Sequence, residues 1–160
     1  MDEILEALSN DARLTAKEIA KLTGKNEETV KKAIQHYEKN GTIVKYKTVL
    51  HQDLVSTKPL VRALIEINVS PEKDVGFDHI AEMIYNFPEV TSCSLVSGTY
   101  DLLIVVEGET IQTVSNFIAS KLASMENVRR TTTHFLLKKY KEDGHVFKQT
   151  EKTKRLNISY

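Results

Sequence analysis

Cysteine, proline and glycine are scarce in this chain, and so is any excess of charge. A single cysteine, Cys93, in 160 residues excludes an internal disulfide and a cysteine-based zinc site. With three prolines and six glycines against 41% hydrophobic residues, the low-complexity and disordered classes are excluded as well. Twenty-two basic residues balance twenty-two acidic ones. That balance argues against coating nucleic acid by bulk electrostatics, which needs many Lys and Arg on one surface. Long apolar runs are missing too. The start, Met1-Asp2-Glu3, is acidic, and no stretch is long enough to span a bilayer, so the expected compartment is the cytoplasm, with no membrane partner.

What is present is a globular chain long enough for two small domains or one of ordinary size. Its charge is uneven: nine basic against eight acidic residues over 1–50, six against eleven over 51–137, and seven against three over 138–160. Lys25, Lys31, Lys32, Lys39, Lys45 and Lys47 fall in one short region, which leaves room for local docking on a polyanion.

The stretch 15–41 reads as two short helices joined by a tight turn. Thr15-x-x-Glu18 is a capping box, and Ala16, Ile19, Ala20 and Leu22 follow it as an apolar stripe. Gly24 turns the chain, because only glycine takes positive φ without steric cost. Asn26 restarts the helix as N-cap, Glu27 and Glu28 suit its positive end, and Gly41 stands where a C′ residue belongs. Val30, Ala33, Ile34 and Tyr37 then form one buried face, leaving Glu28, Thr29, Lys32, Gln35 and Lys39 outward. Such a helix can lie in a DNA major groove with its polar side chains at base edges. An ordinary amphipathic helix with a solvated face would show the same pattern, and that reading stays open here.

Before it, Ile4, Leu5 and Leu8 predict a short helix over 2–8, and Arg13 lies in the linker, either as a phosphate contact or as a solvated loop charge. After Gly41, the β-prone run 42–50 alternates Lys45 and Lys47 with Val44 and Tyr46, like the wing of a winged helix-turn-helix whose lysines would touch the DNA backbone. The candidate DNA contacts are therefore Arg13, Lys25, Asn26, Glu28, Thr29, Lys31, Lys32, Gln35, Lys45 and Lys47. Residues 51–59 read as a linker.

From Leu60 the period changes. Strands are expected over 60–69, 90–96, 102–107 and 131–140, and helices over 73–87 and 110–123, with Gly98-Thr99-Tyr100-Asp101 as a turn. The order βαββαβ puts both helices on one face of an antiparallel sheet, so the fold class is α+β: a winged helix-turn-helix over 1–50, then a ferredoxin-like unit over 60–141. The run Leu102-Leu103-Ile104-Val105-Val106 is apolar at every position, so the second face of the sheet is apolar as well. Leu64, Leu95 and Leu136 can join it, and two-fold pairing with a second copy would cover it. Within the tail 142–160, the alternating end 155–160 could add an edge strand or fray. Five scattered histidines, His36, His51, His79, His134 and His145, show no metal-ligand or triad spacing, so no catalytic residue, metal or cofactor is expected.

These residues resemble the Lrp/AsnC, or feast/famine, family of transcription regulators over nearly the whole chain. The resemblance runs through Asn10-Asp11-Ala12-Arg13, Ile19-Ala20, Val30, Ile34, Glu38, Gly41 and Ile43, then Gly98-x-Tyr100-Asp101-Leu102-Leu103, Thr131-x-Thr133 and Arg155-Leu156. It implies a non-enzymatic regulator of double-stranded DNA that dimerises through its sheets. It further implies assembly of dimers to tetramers, octamers or larger rings, with small molecules, commonly amino acids, bound between dimers. By the same resemblance Gly98, Tyr100, Asp101, Thr131 and Thr133 are the effector-binding candidates, Asp101 for an ammonium and the turn amides and Thr hydroxyls for a carboxylate. The chain departs from the family at Ala33, where an Arg is common, and at Tyr37, where a Leu is. Two alternatives are a siroheme-decarboxylase-like enzyme of the same fold and an amino-acid-binding oligomer without DNA binding.

Overall fold

The computed structural model describes residues 2–51, 54–55, 60–70 and 76–147. The chain divides into two compact units, residues 1–50 and 51–160.

The first unit is three helices. α1 (Glu3–Asn10) begins at Asp2, whose carboxylate accepts the Ile4 N–H at 2.8 Å; that bond is the main reason the Asp2 carboxyl is held below its ordinary range. Asp11 ends α1, so the helix runs two residues further than the one expected over 2–8. α2 (Ala16–Thr23) opens with the reciprocal capping box: Thr15 N–H donates to Glu18 Oε2 at 2.8 Å and Glu18 N–H to Thr15 Oγ1 at 3.3 Å. Gly24, at φ +68°, turns the chain, and Asn26 Oδ1 accepts the Glu28 N–H at 2.8 Å to start α3 (Glu27–Lys39). Ile4, Leu8, Ile19, Ala20 and Val30 form the core, with Leu14, Ala33, Ile34, Tyr37 and Ile43 packed against it. Leu22, expected in the α2 stripe, is instead 69% exposed.

The expected wing is the main correction in this unit. Residues 44–50 form no strand, and Val44 is 89% exposed. The reason is pairing: a strand needs a neighbour to take its backbone hydrogen bonds, and the described residues of this unit contain no second strand. The run is anchored at its start by Ile43 N–H donating to the Tyr37 carbonyl at 2.9 Å and by Tyr46 Oη donating to Glu38 Oε1 at 3.0 Å.

The second unit is a four-stranded sheet with helices on one face. Its elements are β1 (Val61–Val69), α4 (Asp78–Tyr85), β2 (Val90–Leu95), β3 (Leu102–Gly108), α5 (Ile111–Phe117, continuing as a π-helical turn, Ile118–Leu122) and β4 (Val128–Phe135). Strand order is β2-β3-β1-β4, antiparallel throughout, which is the split βαββαβ arrangement. Ala63, Ile65, Ile67 and Val69 of β1 and Leu102, Ile104 and Val106 of β3 pack against Ile80, Ile84, Val114, Phe117 and Leu122.

Several bounds differ from expectation for physical reasons. Gly76 has φ +64°, which helical residues do not adopt, so α4 begins at Asp78; residues 73–75 of the expected helix lie outside the described residues. The expected 110–123 helix changes to π geometry at Ile118, which carries Lys121 to Glu89, Nζ to Oε1 at 2.6 Å, and over the rings of Phe87 and Phe117. That hydrogen bond holds the Glu89 carboxyl below its usual range. β4 covers 128–135 and not 131–140. Beyond it lies an unforeseen hairpin, β5 (Lys141–Glu142) and β6 (His145–Val146), turned by Asp143 at φ 46° and Gly144 at φ 81°. The strand expected at 155–160, and residues 52, 53 and 56–59 of the expected linker, lie outside the described residues.

The open face of the sheet presents Arg62, Leu64, Glu66 and Asn68 of β1, Leu103, Val105 and Glu107 of β3, and Arg130, Thr132 and His134 of β4. Leu64 stands opposite Val105 and His134, and His134 Nε2 lies 3.2 Å from Glu66 Oε1. Arg62 pairs with Glu107. Leu95 does not join this face: it is registered opposite Leu102, whose side chain points to the helices.

Candidate functional site

Two regions gather the candidate residues. The first is the outer surface of α3, which the core at Val30 and the two caps hold in place. Glu28, Thr29, Lys32, Gln35 and Lys39 all lie on it, away from that core. Among the described residues, Thr29 and Gln35 have no side-chain hydrogen bond, so their polar groups are available to a partner.

Four of the nine basic side chains of this unit are paired with carboxylates of the same unit. Lys31 Nζ lies 2.7 Å from Glu27 Oε1 and Lys32 Nζ 3.8 Å from Glu28 Oε1, each one helical turn apart. Lys25 pairs with Glu3 across the unit, and the hydrogen bond raises the Lys25 ammonium above its ordinary value. Arg13 closes on Asp11 with Nε and Nη2, both at 3.1 Å, and this contact keeps the Asp11 carboxyl low. Exposed pairs of this kind exchange readily for a phosphate, because solvent already screens them. Lys45 and Lys47 are exposed on the unpaired run after Gly41, not on a wing strand.

Three further groups are exposed in the same unit. Lys17 and Lys21 are exposed one turn apart on α2, and among the described residues neither makes an ion pair. Their spacing of four, opposite Ile19 and Ala20, is a helical signal legible in the sequence. His36 is exposed one turn beyond Lys32, and its Nε2 lies 3.2 Å from Asn40 Nδ2.

The second region is one end of the sheet in the second unit. Asp101 joins three strands there: its N–H donates to the Ile67 carbonyl at 3.0 Å, its Oδ2 accepts the Val69 N–H at 2.9 Å, and its carbonyl accepts the Val96 N–H at 2.8 Å. Asn68 Nδ2 donates to the Thr99 carbonyl at 2.9 Å, tying the turn to β1. Gly98 is exposed with open space where a Cβ would stand, and Tyr100 is half-buried. Thr131 is registered opposite Ile67 and Thr133 opposite Ile65, half-buried on the helix-facing side. The structure thus brings Gly98, Tyr100, Asp101 and Thr131 to one end of the sheet, and sets Thr133 two residues farther along β4.

Among the described residues no three His, Cys, Asp or Glu side chains group as metal ligands, and no helix is long and apolar enough to cross a membrane. Cys93 is half-buried with its thiol pushed up by burial, the opposite of an activated nucleophile.

The same division appears in comparisons with known proteins. Residues 3–44 match the model of a winged helix-turn-helix DNA-binding domain, and residues 62–146 match that of the Lrp/AsnC ligand binding domain. The chain is 41% identical over 157 residues to the HTH-type transcriptional regulator YugG of Bacillus subtilis, covering 98% of this chain and 95% of that one. It is 26% identical to the HTH-type transcriptional regulator FL11 of Pyrococcus furiosus, over 88% of this chain and 89% of that one. In fold it is similar to Escherichia coli AsnC (TM-score 0.64, 23% identity, 86% of this chain and 89% of that one). A Neisseria meningitidis transcriptional regulator solved in complex with L-Met is similar too (TM-score 0.68, 24% identity, 88% of this chain and 89% of that one). A capped helix-turn-helix, a split βαββαβ unit and matches to both family models agree: the chain belongs to the Lrp/AsnC family of helix-turn-helix transcriptional regulators.

Proposed function

We propose that the protein reads duplex DNA with the outer face of α3 and that its second unit couples this reading to a free amino acid and to self-association. The observation that carries the DNA reading is the outer face of α3 itself. Thr29 and Gln35 stand there without side-chain partners among the described residues, flanked by lysines paired with carboxylates one turn away. Thr29, Gln35 and Glu28 are groups that can address base edges, while Arg13, Lys25, Asn26, Lys31, Lys32, Lys45 and Lys47 address the phosphates. The near balance of charge in this unit makes the phosphate contacts local and few.

Support for an effector comes from the end of the sheet, where Asp101 presents a carboxylate beside an open turn. The regulator solved with L-Met shares this fold. Ligand binding there would shift the population of assembly states, and so the spacing of the α3 helices offered to DNA. The paired sheets of a dimer are the basic unit in this reading, with tetramers and larger rings built from it in the cytoplasm.

The test is capture of genomic fragments by the purified protein, followed by binding titrations on a captured duplex over a range of salt. Lys31→Ala combined with Lys32→Ala should weaken binding at low salt and flatten the log–log salt dependence by about 0.9 for each phosphate no longer neutralised. An unchanged affinity and slope would remove α3 as the docking element.

A further inference from the structure

The open face of the sheet carries one titratable pair at its middle. Its two central rows set Leu64 between Val105 and His134, and Glu66 between Leu103 and Thr132. Glu66 stands on β1, one of the two inner strands, so a partner that covers Leu64 and Leu103 covers it too. His134 Nε2 lies 3.2 Å from Glu66 Oε1, and the two side chains are 53% and 31% exposed, so both have hydration to lose.

The fixed charges lie one row away on either side. At one end Arg62 is taken by Glu107, with Glu142 Oε1 3.8 Å from Arg62 Nη1 and Lys139 Nζ 2.6 Å from Glu142 Oε1. At the other end Arg130 is registered opposite Asn68 and makes no ion pair among the described residues. β2 brings no charged side chain to the face, and its Cys93 is registered opposite the helix-facing Ile104. Glu66 therefore has one partner in contact, and that partner is a cation only when its ring holds a second proton.

A carboxylate can only accept, so Nε2 donates to Oε1 whether or not the ring is charged, and the variable proton belongs to Nδ1. With a neutral ring, pairing of two sheets buries one uncompensated carboxylate per copy, which is strongly unfavourable. With a protonated ring it buries an ion pair.

We propose that sheet pairing takes up a proton from solvent at each His134, so that self-association tightens as pH falls; the inference rests on the proposed pairing of the open faces. A proton held more firmly in the pair than in the free chain favours the pair at lower pH, and an imidazole ordinarily titrates near about pH 6.5.

Fluorescence-detected sedimentation of the full chain between about pH 8 and about pH 6 tests this, with a constant low concentration of urea added if the pair does not otherwise dissociate. The wild type should associate at least about tenfold more tightly at the acidic end. His134→Gln should associate more weakly than the wild type there and change by less than about twofold over the range. Glu66→Gln should reverse the sign and weaken as pH falls, because a protonated ring then enters the interface without its carboxylate; a purely structural role for either residue produces no such reversal. A wild type that pairs with one affinity over the whole range overturns the proposal and leaves sheet pairing standing, and so does a pH dependence kept in His134→Gln. A wild type that is monomeric throughout overturns both. If His134→Gln fails to fold, Glu66→Gln decides: a pH dependence equal to that of the wild type overturns the proposal.

Discussion

At Thr15 one hydroxyl and at Glu18 one carboxylate satisfy backbone donors that α2 cannot satisfy for itself. Replacing Thr15 by Ala should cost the first unit about 1 kcal/mol, seen as a lower urea midpoint with an unchanged slope. The Glu18 carboxyl is held below its ordinary 4.5, first by the Thr15 backbone N–H and then by the Thr15 hydroxyl. A carboxyl depressed on folding adds stability that is fully present above pH 4.5 and disappears as pH falls through the lower folded value. The difference in stability between the wild type and Glu18→Gln should therefore be constant from pH 7 down to about 5 and shrink below 4.5. A difference that persisted at the lowest pH would mean that the carboxylate contributes through packing and not through charge. In the second unit a side-chain oxygen likewise satisfies a backbone donor, Asp101 Oδ2 accepting the Val69 N–H at 2.9 Å.

At the scale of elements, the turn between α2 and α3 depends on Gly24. A Cβ built there meets nothing within 4 Å, so substitution costs no collision, only the strain of φ +68° for an L-residue. Gly24→Ala should destabilise the unit by about 1–2 kcal/mol, measured by denaturant unfolding, and weaken DNA binding further if the strain is relieved by rotating α3. This turn was legible in the chain because cap residues act locally: Thr15, Asn26 and Gly41 mark helix ends whatever the rest of the fold does. Elements that depend on a distant partner were less legible. Residues 42–50 have strand chemistry and no strand beside them. Leu95 continues an apolar pattern, yet registry with Leu102 sends it to the helix side. The β5–β6 hairpin was not foreseen: Asp143-Gly144 suits a two-residue turn with positive φ, but its strands are too short to show a period. For the candidate sites the pattern is the same: the outward residues of α3 follow from its helical period, whereas Glu66 and His134 become neighbours only through antiparallel register.

For the whole molecule, the proposed self-association rests on the open face of the sheet. Leu64, Leu103 and Val105 form an apolar group on it, with Glu66 and His134 beside them and the Arg62–Glu107 pair at one end. In the proposed two-fold pairing these apolar groups meet across the axis. Because the core of the unit lies on the other side, a charge placed at Leu64 should leave the fold intact while entering the interface twice. Leu64→Glu is expected to weaken self-association by about 3 kcal/mol or more, over a hundredfold, with a thermal midpoint of the dissociated chain close to that of the wild type. Sedimentation equilibrium at micromolar concentration checks it. A wild-type chain that sediments as a monomer would remove sheet pairing altogether, and a Leu64→Glu chain that associates as tightly as the wild type would place the association surface elsewhere.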